Sequence, residues 1–205
     1  PEVVHPLIER RTGNEIDFVM TKSCPICGDI LIRKESEAAY YCTNKNCDAK
    51  HIEGLIHYAS RDAMNIEGFG DSITEDFYNM GYLKRVYDYY TLDKYKEELM
   101  NLEGFGEKSI IKLLASIEKS KENSLEKLLF ALGIRHVGAK TAKILATKFE
   151  TLEVLDTINV DNLEELEYDD ILRFNGAVLK DVLISLGAKK EQLLQILRQV
   201  KLRWD

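Results

Sequence analysis

Beyond the cysteine-rich segment that ends at Cys47, the pattern of apolar and polar positions turns helical. Ile110, Leu113, Leu114 and Ile117 recur at helical spacing with Ile111 beside them, and so do Ala142, Leu145 and Phe149 with Ile144. The same spacing continues at Val178, Leu179, Val182, Leu183, Leu193, Leu194 and Leu197. The prolines are Pro1, Pro6 and Pro25, so none breaks a helix from residue 26 onward. Within the cysteine-rich segment the pattern predicts only two short β segments, Ile30 to Lys34 and Ala39 to Cys42. The expected fold class is mainly α, with a small β-containing module at the N-terminal end.

A short phrase punctuates the helical part. It reads Ile66-Glu67-Gly68-Phe69-Gly70, then Leu102-Glu103-Gly104-Phe105-Gly106, then Ile134-Arg135-His136-Val137-Gly138. The final glycines lie 36 and then 32 residues apart, a period compatible with paired helices. Helix, tight glycine turn, helix is the helix-hairpin-helix pattern. Glycine lets the turn adopt positive φ and lets another backbone approach closely. The second helix of each hairpin then begins with unpaired N–H groups, which together with the helix dipole form an anion site. Lys108 and Lys140 follow the last glycine of their hairpins by two residues, where a cation reaches the same anion, and Ser72 holds that place in the first. The third hairpin has His136 in place of its first glycine and adds Arg135. The candidate phosphate-binding set is therefore Gly68, Gly70, Ser72, Gly104, Gly106, Lys108, Arg135, His136, Gly138 and Lys140. One such turn alone is a common way to end a helix. Three copies at near-constant spacing, two of them followed by Lys, favour DNA.

The cysteines are Cys24, Cys27, Cys42 and Cys47, a C-x2-C-x14-C-x4-C array. Two such pairs close a tetrahedron of sulfurs, and four thiolates leave no position for water, so the metal expected is a structural Zn²⁺. Two disulfides are the alternative, although nothing in the sequence suggests an oxidising compartment. With four cysteines completing the shell, His5, His51 and His57 read as surface or core-edge residues rather than ligands.

The 205 residues carry 28 basic and 35 acidic side chains, a net charge of −7, and are 45% hydrophobic. That composition suits a folded protein and argues against binding of nucleic acid by bulk positive charge. Residues 121–150 form a basic stretch, with 6 basic against 3 acidic side chains. No apolar run approaches the ~20 residues of a membrane helix. The start, Pro1-Glu2-Val3-Val4, lacks the features of a signal peptide and reads as a cut inside a longer chain.

The run His57-Tyr58-Ala59-Ser60-Arg61-Asp62-Ala63-Met64-Asn65-Ile66-Glu67-Gly68-Phe69-Gly70, directly after a four-cysteine finger, resembles a signature of bacterial NAD⁺-dependent DNA ligases. Leu102 to Ser109, Glu118 to Lys121 and Leu132 to Gly138 match the same family, and Pro1 to Gly13 resembles the end of its OB-fold domain. The resemblance implies three parts: 1–18 as OB-fold end and linker, 19–60 as four-cysteine zinc finger, and 61–205 as helix-hairpin-helix domain. Over 151–205 the resemblance fades. A fourth hairpin is due near residue 170, where Leu166-Glu167-Tyr168-Asp169-Asp170-Ile171 lacks both glycines.

By the same resemblance, the parent enzyme carries adenylation domains that use NAD⁺ and Mg²⁺ to seal nicks in replication and repair, in the bacterial cytoplasm at the nucleoid. The adenylated K-x-D-G motif of that family is missing from this chain, which should therefore clamp nicked duplex, sequence-independently, without ligating it. Its expected partners are duplex or nicked DNA and the OB-fold and adenylation domains of the same protein, with no membrane. Lys45 and Lys50 in the finger read as structural rather than DNA-contacting, whereas Arg61 in the signature run is open between binding phosphate and pairing with Asp62 or Glu67, with the structural role slightly preferred. A protein-interaction scaffold, or a zinc-ribbon and hairpin module of another repair factor, are the competing readings.

Overall fold

The computed structural model describes residues 5, 7–33, 38–134 and 137–148. The chain divides into two compact units, the first ending at Asp48 and the second starting at Ala49.

In the first unit a single turn of 3-10 helix, Ile8–Arg10, precedes an extended stretch and then the cysteine module. Two strands form its sheet, β1 (Leu31–Arg33) and β2 (Tyr40–Cys42). They pair antiparallel with Leu31 opposite Cys42 and Arg33 opposite Tyr40. Each starts one residue later than the pattern predicts, with Ile30 instead bridged to Ser23 beside the Cys24–Cys27 knuckle, and Lys34 lies outside the described residues. There the Cys24 amide donates to Asp29 O and the Gly28 amide to Cys24 O. Among the described residues of this unit only Cys24 and Cys47 are buried, while Ile16, Phe18 and Val19 are each at least 80% exposed. Such a module has little apolar core to hold it.

The second unit is helical. Its described elements are α1 (Asp48–Ala59), which begins at the division between the units, α2 (Asp71–Met80), a 3-10 stretch Val86–Tyr95, α3 (Lys96–Met100), α4 (Glu107–Ser120), α5 (Leu125–Ala131) and α6 (Ala139–Lys148). The three repeated phrases fall between α1 and α2, between α3 and α4, and between α5 and α6. The helices before them are less regular than the repeat suggests. After α1 the chain winds through a turn in which the Asn65 and Ile66 amides donate back to Ser60 O and Ala59 O. The second hairpin opens on the five-residue α3 rather than on a full helix.

One apolar core runs through the unit. On α4 the buried positions are Ile110, Leu113, Ile117 and Ser120, a single helical stripe, while Ile111 is 45% exposed. On α6 Ala142 and Leu145 are buried and Ile144 is exposed; Phe149 lies outside the described residues. Aromatic rings knit the first hairpin: Tyr58 stacks on Tyr89 at 5.9 Å between centroids, and Phe69 meets Tyr89 edge-on at 4.8 Å and Phe77 at 5.7 Å. The buried hydroxyls find partners, Tyr58 with Tyr90 at 2.8 Å and Tyr89 donating to Leu55 O at 3.1 Å. Burial holds the Tyr58 phenol well above its ordinary pKa. Two side chains tie the third hairpin to the first. His57 Nε2 donates to Phe130 O at 3.0 Å with its ring edge-on to Phe130, and Asn123 Nδ2 donates to Met64 O at 2.8 Å. His57 is thus a core-edge residue, and His5 and His51 are exposed.

Gly68 and Gly104 occupy the same turn position, with φ of +96° and +85°. A Cβ at Gly68 would stand 2.5 Å from Leu113 Cδ2, whereas at Gly104 it would meet nothing within 4 Å. Gly104→Ala is therefore expected to lose about 1–2 kcal/mol from backbone strain alone. Gly68→Ala should lose about 1 kcal/mol more, because Leu113 must leave its rotamer; urea unfolding of the two variants measures the difference.

Candidate zinc centre and nucleic-acid interface

The four cysteines converge. Cys24 and Cys27 come from the knuckle, Cys42 from the end of β2, and Cys47 from the residue before α1. Their sulfurs all lie within 4.8 Å of one another. Cys24 Sγ is 4.0 Å from Cys47 Sγ, and Cys27 Sγ is 3.5 Å from Cys42 Sγ. A tetrahedron with Zn–S bonds of ~2.3 Å has edges of ~3.8 Å, so the spacing suits zinc. A disulfide needs ~2.05 Å, far below either separation.

The environment also suits a cation. Backbone amides of Cys27 and Ile26 aimed at the Cys24 sulfur draw its pKa down to about 7. Desolvation, then the Cys27 sulfur, pushes Cys42 up to about 12. The Cys24 thiolate thus forms readily while that of Cys42 is resisted, a conflict that a divalent cation removes. With four sulfurs and no open position, the site is a structural Zn²⁺ centre.

The hairpin corners share one construction. In each, the amide of the second apolar residue closes a turn onto the first: Phe69 N to Ile66 O at 3.4 Å, Phe105 N to Leu102 O at 3.0 Å, Val137 N to Ile134 O at 2.9 Å. The final glycine then caps a helix. Gly70, Gly106 and Gly138 accept the first helical bond, from Thr74, Ile110 and Ala142 respectively. All three glycines are exposed. Gly70 (φ −82°, ψ 178°) and Gly106 (φ −97°, ψ 162°) have extended backbone open to any residue, and a Cβ on either would meet nothing within 4 Å. Neither conformation nor space requires glycine there. No side chain caps α2 or α4. The amides of Asp71 and Ser72, and of Glu107 and Lys108, donate to no protein acceptor among the described residues.

Ser72, Lys108 and Lys140 are each the second residue of their helix, and each is exposed. Gly68 and Gly104 are exposed as well. Arg135 and His136 lie outside the described residues. Arg61 is exposed and pairs with neither Asp62 nor Glu67 among the described residues; Glu67 instead meets Lys119 Nζ at 3.9 Å. Lys119 falls outside the candidate set, because its link to the first corner crosses 52 residues and no local spacing marks it. The acids at the helix starts are legible in the sequence yet do not figure in that set: Asp71 on α2 and Glu107 on α4, with none in the first turn of α6.

Comparison with known proteins agrees with both halves of this picture. The NAD-dependent DNA ligase C4 zinc finger domain matches residues 23–49, and a helix-hairpin-helix motif matches residues 127–171. Similar proteins include a DNA ligase of Oceanobacillus iheyensis, 44% identical over all of this chain and 30% of its own length. A DNA ligase of Acetivibrio thermocellus is 47% identical over 80% of this chain and 25% of its own length, and one of Bacillus subtilis 44% over 98% and 29%. The chain thus spans less than a third of these curated relatives. The alignments extend into residues 151–205, beyond the point where the glycine motifs fade.

Elemental analysis is expected to find one Zn per chain, lost together with the β1–β2 hairpin in Cys42→Ser. Acid should release the metal, since protons compete for thiolate ligands, and the loss should grow as pH falls.

Proposed function

We propose that this chain, which matches the C4 zinc finger of the NAD-dependent DNA ligases and is similar to DNA ligases along its whole length, is the part of such an enzyme that clamps nicked duplex DNA without regard to sequence. The observation that carries this is the bare glycine cap on α4. Gly106 could be any residue by conformation and space, and an Asp, Ser or Asn would stabilise the helix. Glycine leaves the first-turn amides uncapped and lets an outside anion come close. A phosphodiester oxygen fits that position, with Lys108 beside it; Gly138 with Lys140 and Gly70 with Ser72 repeat the arrangement. Contacts of this kind read the backbone and carry no sequence information. They also explain how a chain of net charge −7 holds a polyanion, since the positive ends are backbone dipoles rather than surplus side chains.

In this reading residues 19–60 form the finger and 61–205 the DNA-binding domain, with Arg135 and His136 joining the third corner. The finger serves as a zinc-held spacer between this domain and an OB fold of the same protein. NAD⁺-dependent adenylation and Mg²⁺-assisted sealing belong to the rest of the full-length enzyme, which acts in replication and repair on the bacterial nucleoid. The isolated chain binds nicked duplex and does not ligate it.

Charge reversal of Lys108 and Lys140 together is expected to weaken binding to a nicked duplex about tenfold or more. It should also shrink the slope of log affinity against log salt by about 2. Gly106→Asp should hold or slightly raise the melting temperature, since a capping carboxylate adds only a few tenths of a kcal/mol over glycine at a helix start, while lowering DNA affinity. Unchanged DNA binding in both variants, by fluorescence anisotropy, would remove the hairpins from the interface.

A further inference from the structure

We infer that the groove between the first corner and α4 is a track for the sugar-phosphate backbone of one DNA strand, leading away from the start of α4. The inference rests on the DNA-binding reading above and adds a contact surface that the hairpin motifs do not include. The groove has a volume of about 590 Å³. Its lining includes Ser109, in the first turn of α4, and Gly68 of the first corner, so it joins the neighbourhoods of two corners. One wall is Ser109, Lys112, Ser116 and Lys119, spaced 3, 4 and 3 residues apart and therefore on one face of the helix. At ~1.5 Å rise per residue this face is about 15 Å long. DNA rises ~3.4 Å per nucleotide along the duplex axis and its backbone path is longer, so a wall of this length meets only a few successive phosphates.

The chemistry alternates as a strand backbone does. Lys112 and Lys119 are exposed cations, and the two serine hydroxyls are hydrogen-bond donors, all able to meet phosphate oxygens. The floor is apolar, made by Leu113 and Ile73 with Gly68 pressed against Leu113, and it suits the faces of deoxyribose rings. Glu67 stands across the groove and holds Lys119 at 3.9 Å, with side chains 71% and 76% exposed. An exposed pair of this kind is weak and screened by salt. A phosphate entering the groove takes over Lys119, and Glu67 then opposes it as a like charge. The groove thus carries its own brake: Glu67 lowers affinity for a polyanion while keeping Lys119 in place without one.

The zinc-loaded chain and a nicked duplex of arbitrary sequence test this by anisotropy titration across a salt series. Lys112→Ala with Lys119→Ala should weaken binding several-fold and shrink the log–log salt slope by about 1.8, the value for two lost phosphate contacts. Glu67→Gln should tighten binding a few-fold at low salt and lose that advantage at high salt. If the double alanine variant binds with unchanged affinity and slope while the Lys108 and Lys140 reversals weaken binding, the track is wrong and the hairpin reading stands. If neither pair of substitutions changes binding, both fail. If poly-glutamate displaces the duplex from the wild-type chain as well as unlabelled duplex does, the groove takes acidic peptide and the strand assignment is overturned.

Discussion

Every α-helix begins with backbone N–H groups that have no partner inside the helix, and a protein must either satisfy them or leave them for something else. In this chain the choice is visible at α2 and α4, where glycine stands at the cap although the backbone is extended and the space around it is empty. A side-chain cap would improve the stability of the isolated helix. Leaving it out keeps several aligned dipoles unsatisfied at an exposed corner. The turn that delivers the chain to that corner has its own requirement, met by Gly68 and Gly104 at positive φ. The two glycines of the first and second phrases therefore answer different needs, one in the conformation of the turn and the other in what the helix start is left free to bind.

The two compact units reach order by different means. The helical unit buries a continuous set of side chains from Leu55 to Leu145, with tyrosine hydroxyls satisfied inside it. The first unit has no comparable interior among its described residues, and its apolar side chains at Ile16, Phe18 and Val19 face outward. Its organising contact is the meeting of four sulfurs within 4.8 Å. A metal bond energy concentrated at one point replaces a hydrophobic energy spread over many, which is why so short a segment folds. A single Cys substitution there should consequently act like the loss of a whole core, whereas a single apolar truncation in the helical unit removes only one share of it.

The cysteine spacing and the glycine phrase made the metal site and the corners legible before any coordinates, because each is a local pattern whose geometry follows from a few adjacent residues. The helical class was legible for the same reason. Legibility failed where structure depends on distant residues. The 3-10 stretch Val86–Tyr95 is rich in tyrosines, of which Tyr89 and Tyr90 pack with Leu92 into the core, while the five-residue α3 contributes Leu99 to it. His57 gave no sign of its bond to Phe130, 73 residues away, nor Asn123 of its bond to Met64. The Glu67–Lys119 pair was hidden likewise. By contrast the first-turn acids were in plain view, and their weight emerges only once the corners are read as anion sites.

Those acids rank the corners. A carboxylate in the first turn stabilises a helix by facing its positive end, and for the same reason it competes with any external anion there. Asp71 and Glu107 place such a charge at the first two corners, so each begins with part of its dipole already answered. The third corner has Ala139 in that position, no acid in the first turn of α6, and a basic surrounding sequence. Its helix gives up the stabilisation that the others retain and keeps its full field for a ligand. The first corner stands at the other extreme, with Asp71 at its helix start, Glu67 beside Gly68, and Ser72 where the others have lysine. In the proposed reading, the first-turn side chains set how far each helix start trades its own stability for anion affinity, least at α2 and most at α6.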